Sequence, residues 1–160
     1  MFSMSEEPIR YALKDQDWDP SGHFELGSSL SMVSEPEGKG YVSHFRDFRV
    51  WQQGMDLVDR IYELSGHFPK DERYGLISQI RRAAVSVPSN IAEGWGRNRR
   101  GYLMLGLSYA RGSAHEVETQ LEIAFRQKWI DGNAMEPIMG LLNVLSTGLL
   151  RFMQSLEKRQ

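Results

Sequence analysis

Cysteine is absent from this chain of 160 residues, which excludes disulfide scaffolds, thiolate zinc sites, iron–sulfur clusters and cysteine nucleophiles. Nor does any stretch approach the roughly 18 unbroken apolar residues of a membrane span. The opening Met1-Phe2-Ser3-Met4-Ser5-Glu6-Glu7 has neither a basic n-region nor an apolar h-region, so no export signal is read. A cytoplasmic protein without membrane attachment is the expectation. What is present suits a folded core: 41% of residues are hydrophobic and 25% charged, over a length typical of one domain.

The net charge of −2 conceals an uneven distribution. Residues 1–40 hold three basic groups (Arg10, Lys14 and Lys39) against eight acidic ones, whereas the rest of the chain is net positive. Within residues 73–111 the bases are Arg73, Arg81, Arg82, Arg97, Arg99, Arg100 and Arg111, and Glu93 is the single acid. The pI near 6.1 therefore says little about partners, while this segment points to an anionic one.

Residues 1–44 carry no sustained period of either kind, and Pro8, Pro20 and Pro36 stand among glycines, serines and scattered aromatics. They read as a mobile acidic extension, and residues 45–160 as the folded domain. A first helix is predicted from about Phe48 to Ser65, with an apolar stripe of Trp51, Met55, Val58, Ile61, Tyr62 and Phe68 and a stop at Gly66 and Pro69. A second opens near Asp71 as N-cap and buries Leu76, Ile77, Ile80, Ala83, Ala84, Val87 and Ile91. Pro88 kinks it without ending it, and Gly94 and Gly96 are its stop. A third begins at Asn98 and runs to about Gln127 on Leu103, Leu107, Ala110, Ala114, Val117, Leu121 and Ala124. The fourth carries Met135, Ile138, Leu142, Leu145, Leu149, Phe152 and Leu156, with Asn133 and Glu136 as a capping-box-like start. Alternating three–four spacing keeps each seam on one side and suits helices crossing at about 20°. With short connections, the prediction is an all-α, antiparallel up-and-down four-helix bundle.

Two surfaces stand out. Opposite the core of the second helix lie Ser78, Arg82, Val85, Ser86, Ser89 and Glu93. A solvated face ordinarily carries long charged residues. This one is mostly small, so Ser78, Val85, Ser86 and Ser89 are candidate subunit contacts, an ordinary surface being the plain alternative. The turn that follows reads Trp95-Gly96-Arg97-Asn98-Arg99-Arg100-Gly101-Tyr102. Guanidinium forks match phosphate oxygens and stack on bases, Trp95 offers a stacking surface, and the first amides of the third helix favour an anion. Arg97, Arg99, Arg100 and Trp95 are therefore candidates for nucleic-acid contact. The plain alternative is a basic helix end, with Trp95 plugging the bundle.

Enzyme chemistry finds little purchase. A di-iron bundle needs Glu-x-x-His pairs on two helices, and none occurs: His115 lies beside Glu116, Glu118 and Glu122 without that spacing. Ser86 and Ser89 have no evident base or nucleophile elbow. Gly94-Trp95-Gly96 lacks the third glycine and the preceding strand of a dinucleotide fingerprint. No catalytic residue, metal ligand or cofactor is read from this chain.

The stretch from Phe68 through Arg81-Arg82-Ala83-Ala84-Val85-Ser86-Val87-Pro88-Ser89-Asn90 to Gly94 closely resembles the bacterial family of 23S rRNA intervening-sequence proteins, also labelled S23. Gly112-Ser113-Ala114-His115-Glu116-Val117-Glu118-Thr119-Gln120-Leu121 is similar to the same family's third-helix signature, as is Trp51-Gln52-Gln53-Gly54-Met55-Asp56-Leu57 to the opening of its first helix. The likeness covers about residues 45–157. It implies a four-helix bundle assembled into a homo-oligomeric ring, typically a pentamer. It also links the chain to accessory proteins of retroelements, basic rings that bind nucleic acid and a reverse transcriptase. The family's arginine pair matches Arg81 and Arg82, which join the candidates for nucleic-acid contact, and its small outer stripe matches Ser78, Ser86 and Ser89. No catalytic residues carry over. The Arg97–Arg100 run departs from the lysine-richer family pattern. The expected function is non-enzymatic RNA or DNA binding by an oligomeric bundle through phosphate contacts. The rival is an interaction scaffold whose arginines pair with Glu116, Glu118 and Glu122 of a neighbour.

Overall fold

The computed structural model describes residues 11–12, 41–42 and 44–158. The chain divides into two units, residues 10–43 and the remainder. In the first, β1 (Tyr11–Ala12) pairs antiparallel with β2 (Tyr41–Val42), Tyr11 opposite Val42 and Ala12 opposite Tyr41. A two-residue ladder is too short to leave an alternation in sequence, and none was expected there. The predicted mobility of the acidic extension falls otherwise outside the described residues.

The second unit is the predicted bundle: α1 (Arg49–Ser65), α2 (Leu76–Gly96), α3 (Arg100–Arg126) and α4 (Gly132–Glu157). Each helix packs on its chain neighbours, and α4 closes the ring against α1. The core is apolar and layered, with Leu57, Ile61, Ile80, Val87, Ile91, Leu103, Leu107, Leu121, Leu145 and Leu149 fully buried. All seven predicted seam residues of α3 are buried, as are five of the seven in α4. Pro88 is buried inside an unbroken α2. Among the described residues, no helix is long and apolar enough to cross a membrane.

Four details differ from the sequence reading. The buried face of α1 is Val50, Gly54, Leu57, Ile61 and Ser65; of the predicted stripe, Ile61 is buried, as is Phe68 beyond the helix, whereas Met55 and Tyr62 are exposed and Trp51 and Val58 half-buried. Asp71 does not cap α2. It lies in a 3-10 turn, Lys70–Tyr74, and Gly75 precedes the helix while the Glu72 Oε2 accepts from the Leu76 amide at 2.9 Å. Asn98 sits outside α3 in left-handed backbone (φ 51°), which a helical residue cannot adopt, so Arg99 is the N-cap. Asp131, not Asn133, caps α4: its Oδ1 accepts from the Ala134 amide at 2.9 Å.

Gly94 is no helix stop either. It packs inside the α2–α3 contact against Gly106, where a Cβ on Gly94 would meet the Tyr102 carbonyl oxygen at 2.9 Å and one on Gly106 the Asn90 carbonyl oxygen at 2.5 Å. Two side-chain-free positions face each other and the helices nearly touch backbone to backbone.

Candidate functional site

Phe48, buried at the start of α1, fixes one end of the bundle. Its ring stands edge-on to Trp95 near the end of α2 (centroids 5.1 Å, 85°) and to Phe152 near the end of α4 (4.9 Å, 67°). The start of α1, the α2–α3 turn and the last turns of α4 therefore share that end. With them come Arg46, Arg49, Arg97, Arg99, Arg100, Arg151 and Lys158, against Asp47, Glu93 and Glu157. Among the described residues, seven bases against three acids make this a strongly positive end. The opposite end, fastened by Phe68 against Trp129 (5.8 Å), mixes Lys70, Arg73, Arg126 and Lys128 with Glu63, Asp71, Glu72, Asp131 and Glu136. There the signs nearly balance.

Two of the three acids at the positive end have local partners. Asp47 Oδ2 accepts from the His44 amide at 3.0 Å, and Glu93 accepts from Arg97 one turn along α2. The Arg97 guanidinium also lies 5.2 Å from the Tyr102 ring centre. The hydrogen bond and charge of Glu93 raise the Arg97 pKa above its ordinary value, so the group is a fixed cation in water. Arg49, Arg99, Arg100 and Arg151 each hold an interaction within the chain as well.

The structure thus divides the predicted arginines. Arg97, Arg99 and Arg100 lie together at the positive end. Arg81 and Arg82 lie toward the other end of α2, residue 82 being roughly 22 Å along the helix from residue 97 at 1.5 Å per residue. Arg81 is half-buried between helices: its Nε donates to the buried Ser65 Oγ at 2.7 Å and its guanidinium covers the Tyr62 ring at 4.7 Å. That geometry staples α1 to α2. Arg82 is exposed. Trp95 is half-buried against Phe48 and closes the bundle end.

The predicted subunit stripe also divides. Ser78, Val85 and Ser89 are exposed, whereas Ser86 turns toward α3, its Oγ accepting from Ser113 Oγ at 3.0 Å and from Asn90 Nδ2 at 2.9 Å. His115 meets Glu118 through Nδ1 at 3.1 Å on an exposed face. Among the described residues, no three His, Asp or Glu side chains gather where they could hold a metal ion.

Sequence reasoning missed Arg46, Arg49, Arg151 and Lys158, because charge counted along a window cannot register helix ends that meet only in the fold. It also assigned Trp51 to the core, whereas Trp51 packs edge-on against Phe45 (5.4 Å, 65°) outside it.

Comparison with known proteins agrees with this architecture. Among solved structures, a protein of unknown function from the S23 ribosomal protein family of Bacteroides thetaiotaomicron superposes with a TM-score of 0.61 at 23% identity, over 66% of this chain and 95% of its own. At that identity the likeness shows the fold. No curated protein matches the chain. The family model described as 23S rRNA-intervening sequence protein matches residues 46–150, almost the whole bundle. By that match, the chain belongs to the 23S rRNA-intervening sequence protein family.

Proposed function

We propose that this protein binds structured RNA without catalysing a reaction, clamping phosphates with the arginine end of an oligomeric bundle. The observation that carries this reading is the convergence of seven basic residues from three separate parts of the chain on the end fastened by Phe48. Arginine suits the task because its planar fork pairs with two phosphate oxygens at once. The family's name, which concerns an insertion in ribosomal RNA, makes RNA the first ligand to test. Binding of this kind is steeply salt-dependent and weakly sequence-selective. Titrating the full chain with a labelled stem–loop RNA and a matched DNA across a salt series tests it. The expected result is a log affinity that falls linearly with log salt, by about 0.7–0.9 per phosphate engaged. No binding at low salt overturns the reading.

Assembly rests on a second observation. Of the ten exposed large apolar side chains among the described residues, Met55, Tyr62, Val85, Tyr102, Leu105, Tyr109, Ile123 and Phe125 lie on α1 to α3, and α4 contributes Leu150 alone. On α2, which packs between α1 and α3, Ser78, Val85 and Ser89 are exposed as well, which fits contact of this helix with further copies, in a ring such as a pentamer. Val85→Asp is expected to reduce the sedimentation coefficient to that of a monomer while the helical circular dichroism stays native. An unchanged coefficient excludes this face.

A further inference from the structure

We infer that His44, Phe45 and Trp51 form a stacking platform for an unpaired base, beside the arginine end; the inference rests on the proposed RNA binding and specifies which part of an RNA this corner would take. The three rings touch in series. His44 and Phe45 have centroids 4.2 Å apart, and Phe45 meets Trp51 edge-on at 5.4 Å. None belongs to the core, since the chain turns inward only at Phe48 and α1 buries Val50, Gly54, Leu57 and Ile61. His44 is exposed, and Phe45 and Trp51 are half-buried. Apolar burial therefore accounts for only part of this gathering of aromatics.

The platform is also held in place. The 3-10 turn Phe45–Asp47 is closed by a reciprocal cap: the Arg46 amide donates to His44 Nδ1 at 3.3 Å and the His44 amide to Asp47 Oδ2 at 3.0 Å. Gln52 Nε2 on α1 donates to the Arg46 carbonyl at 2.9 Å, which ties the turn to the helix. A turn fixed in this way presents its rings without ordering cost on binding.

Charge completes the site. The Arg46 guanidinium lies 5.8 Å from the Phe45 ring centre, and Arg49 follows one turn later. Phosphates drawn to the arginine end bring their bases to within reach of these rings. A duplex keeps its bases stacked inside and offers no face to a flat aromatic surface, whereas a loop or single strand does. The ligand class is therefore an unpaired nucleotide in a loop or at an end.

The test uses the full chain and two labelled oligoribonucleotides of equal length and charge, one bearing bases and one built wholly of abasic units. The native protein is expected to bind the base-bearing strand at least about fivefold more tightly. Phe45→Leu, which keeps an apolar side chain without a ring, is expected to erase that preference, and Phe45→Tyr to retain it. Should Phe45→Leu fail to fold, fluorescence carries the test: the base-bearing strand quenches tryptophan emission more than the abasic one, and Trp51→Phe removes the difference. A folded Phe45→Leu that keeps the preference, or equal quenching by both strands, overturns the platform and leaves phosphate binding standing. Binding of neither strand by the native protein overturns the platform, and the stem–loop titration then decides phosphate binding separately.

Discussion

Replacing Gly106 by alanine is expected to cost about 3 kcal/mol of stability and to lower the unfolding midpoint by about 10 °C or more. The added Cβ would lie 2.5 Å from the Asn90 carbonyl oxygen and 3.0 Å from Gly94 Cα. Both obstacles are backbone of α2, so no rotamer change relieves them, and the two helices must move apart. The α2–α3 contact is the most extensive in the bundle, and separating it loosens the packing around Ile91, Leu103 and Leu107. It also disturbs the Ser86–Ser113 hydrogen bond two turns away. Gly112 on the same helix is the matched control, because a Cβ there would meet nothing within 4 Å. Gly112→Ala should gain up to about 1 kcal/mol from helix propensity alone. Thermal and urea melts followed by circular dichroism measure both. A Gly106→Ala protein within about 1 kcal/mol of native would mean that the helices are less tightly apposed than this geometry requires.

That pair of glycines shows where a sequence is legible and where it is not. The seams of α3 and α4 are rows of mostly leucine, isoleucine, valine and alanine, so periodicity identifies their buried faces, with Met135 and Phe152 of the α4 row half-buried. In α1 the buried face includes Gly54 and Ser65, which hydropathy does not register as core, while Trp51, Met55 and Tyr62 form a rival apolar row beside it. Helix starts at Gly75, Arg99 and Asp131 depend on which backbone angles the connecting turns adopt, and several capping residues compete within each turn. Of the candidate site, the Arg97–Arg100 run is visible as a local cluster. Arg46, Arg49, Arg151 and Lys158 join it through the contacts of Phe48 with Trp95 and Phe152, which link residues far apart in sequence. Arg81 carries the same formal charge, yet its hydrogen bond to Ser65 gives it a structural task that composition cannot distinguish from a ligand contact.

Substituting Arg97, Arg99 and Arg100 together by alanine is expected to weaken RNA binding about a hundredfold near 0.1 M salt while leaving assembly and fold intact. Each phosphate contact with a single strand contributes about 0.7 to the salt exponent, which at that concentration amounts to roughly fivefold in affinity. Three lost contacts multiply to about two orders of magnitude, and the slope of the log–log plot falls by about 2. Arg97 and Arg99 are exposed and Arg100 is half-buried, and the Arg97 ion pair with Glu93 lies on the surface, where such pairs add little stability. Arg81→Ala reverses the pattern. It removes a charged hydrogen bond to a buried serine and the cover over Tyr62, so stability falls by about 1.5–3 kcal/mol while RNA affinity changes by less than about twofold. The two variants therefore separate an arginine that binds from one that holds helices together. If the triple variant instead falls apart into monomers, its guanidinium groups pair with acidic residues of a neighbouring copy, Glu116, Glu118 and Glu122 being the nearest candidates by charge, and the protein is a scaffold. If it stays assembled and binds RNA with an unchanged salt slope, the phosphates are held elsewhere, and exposed Arg82 is the next residue to replace.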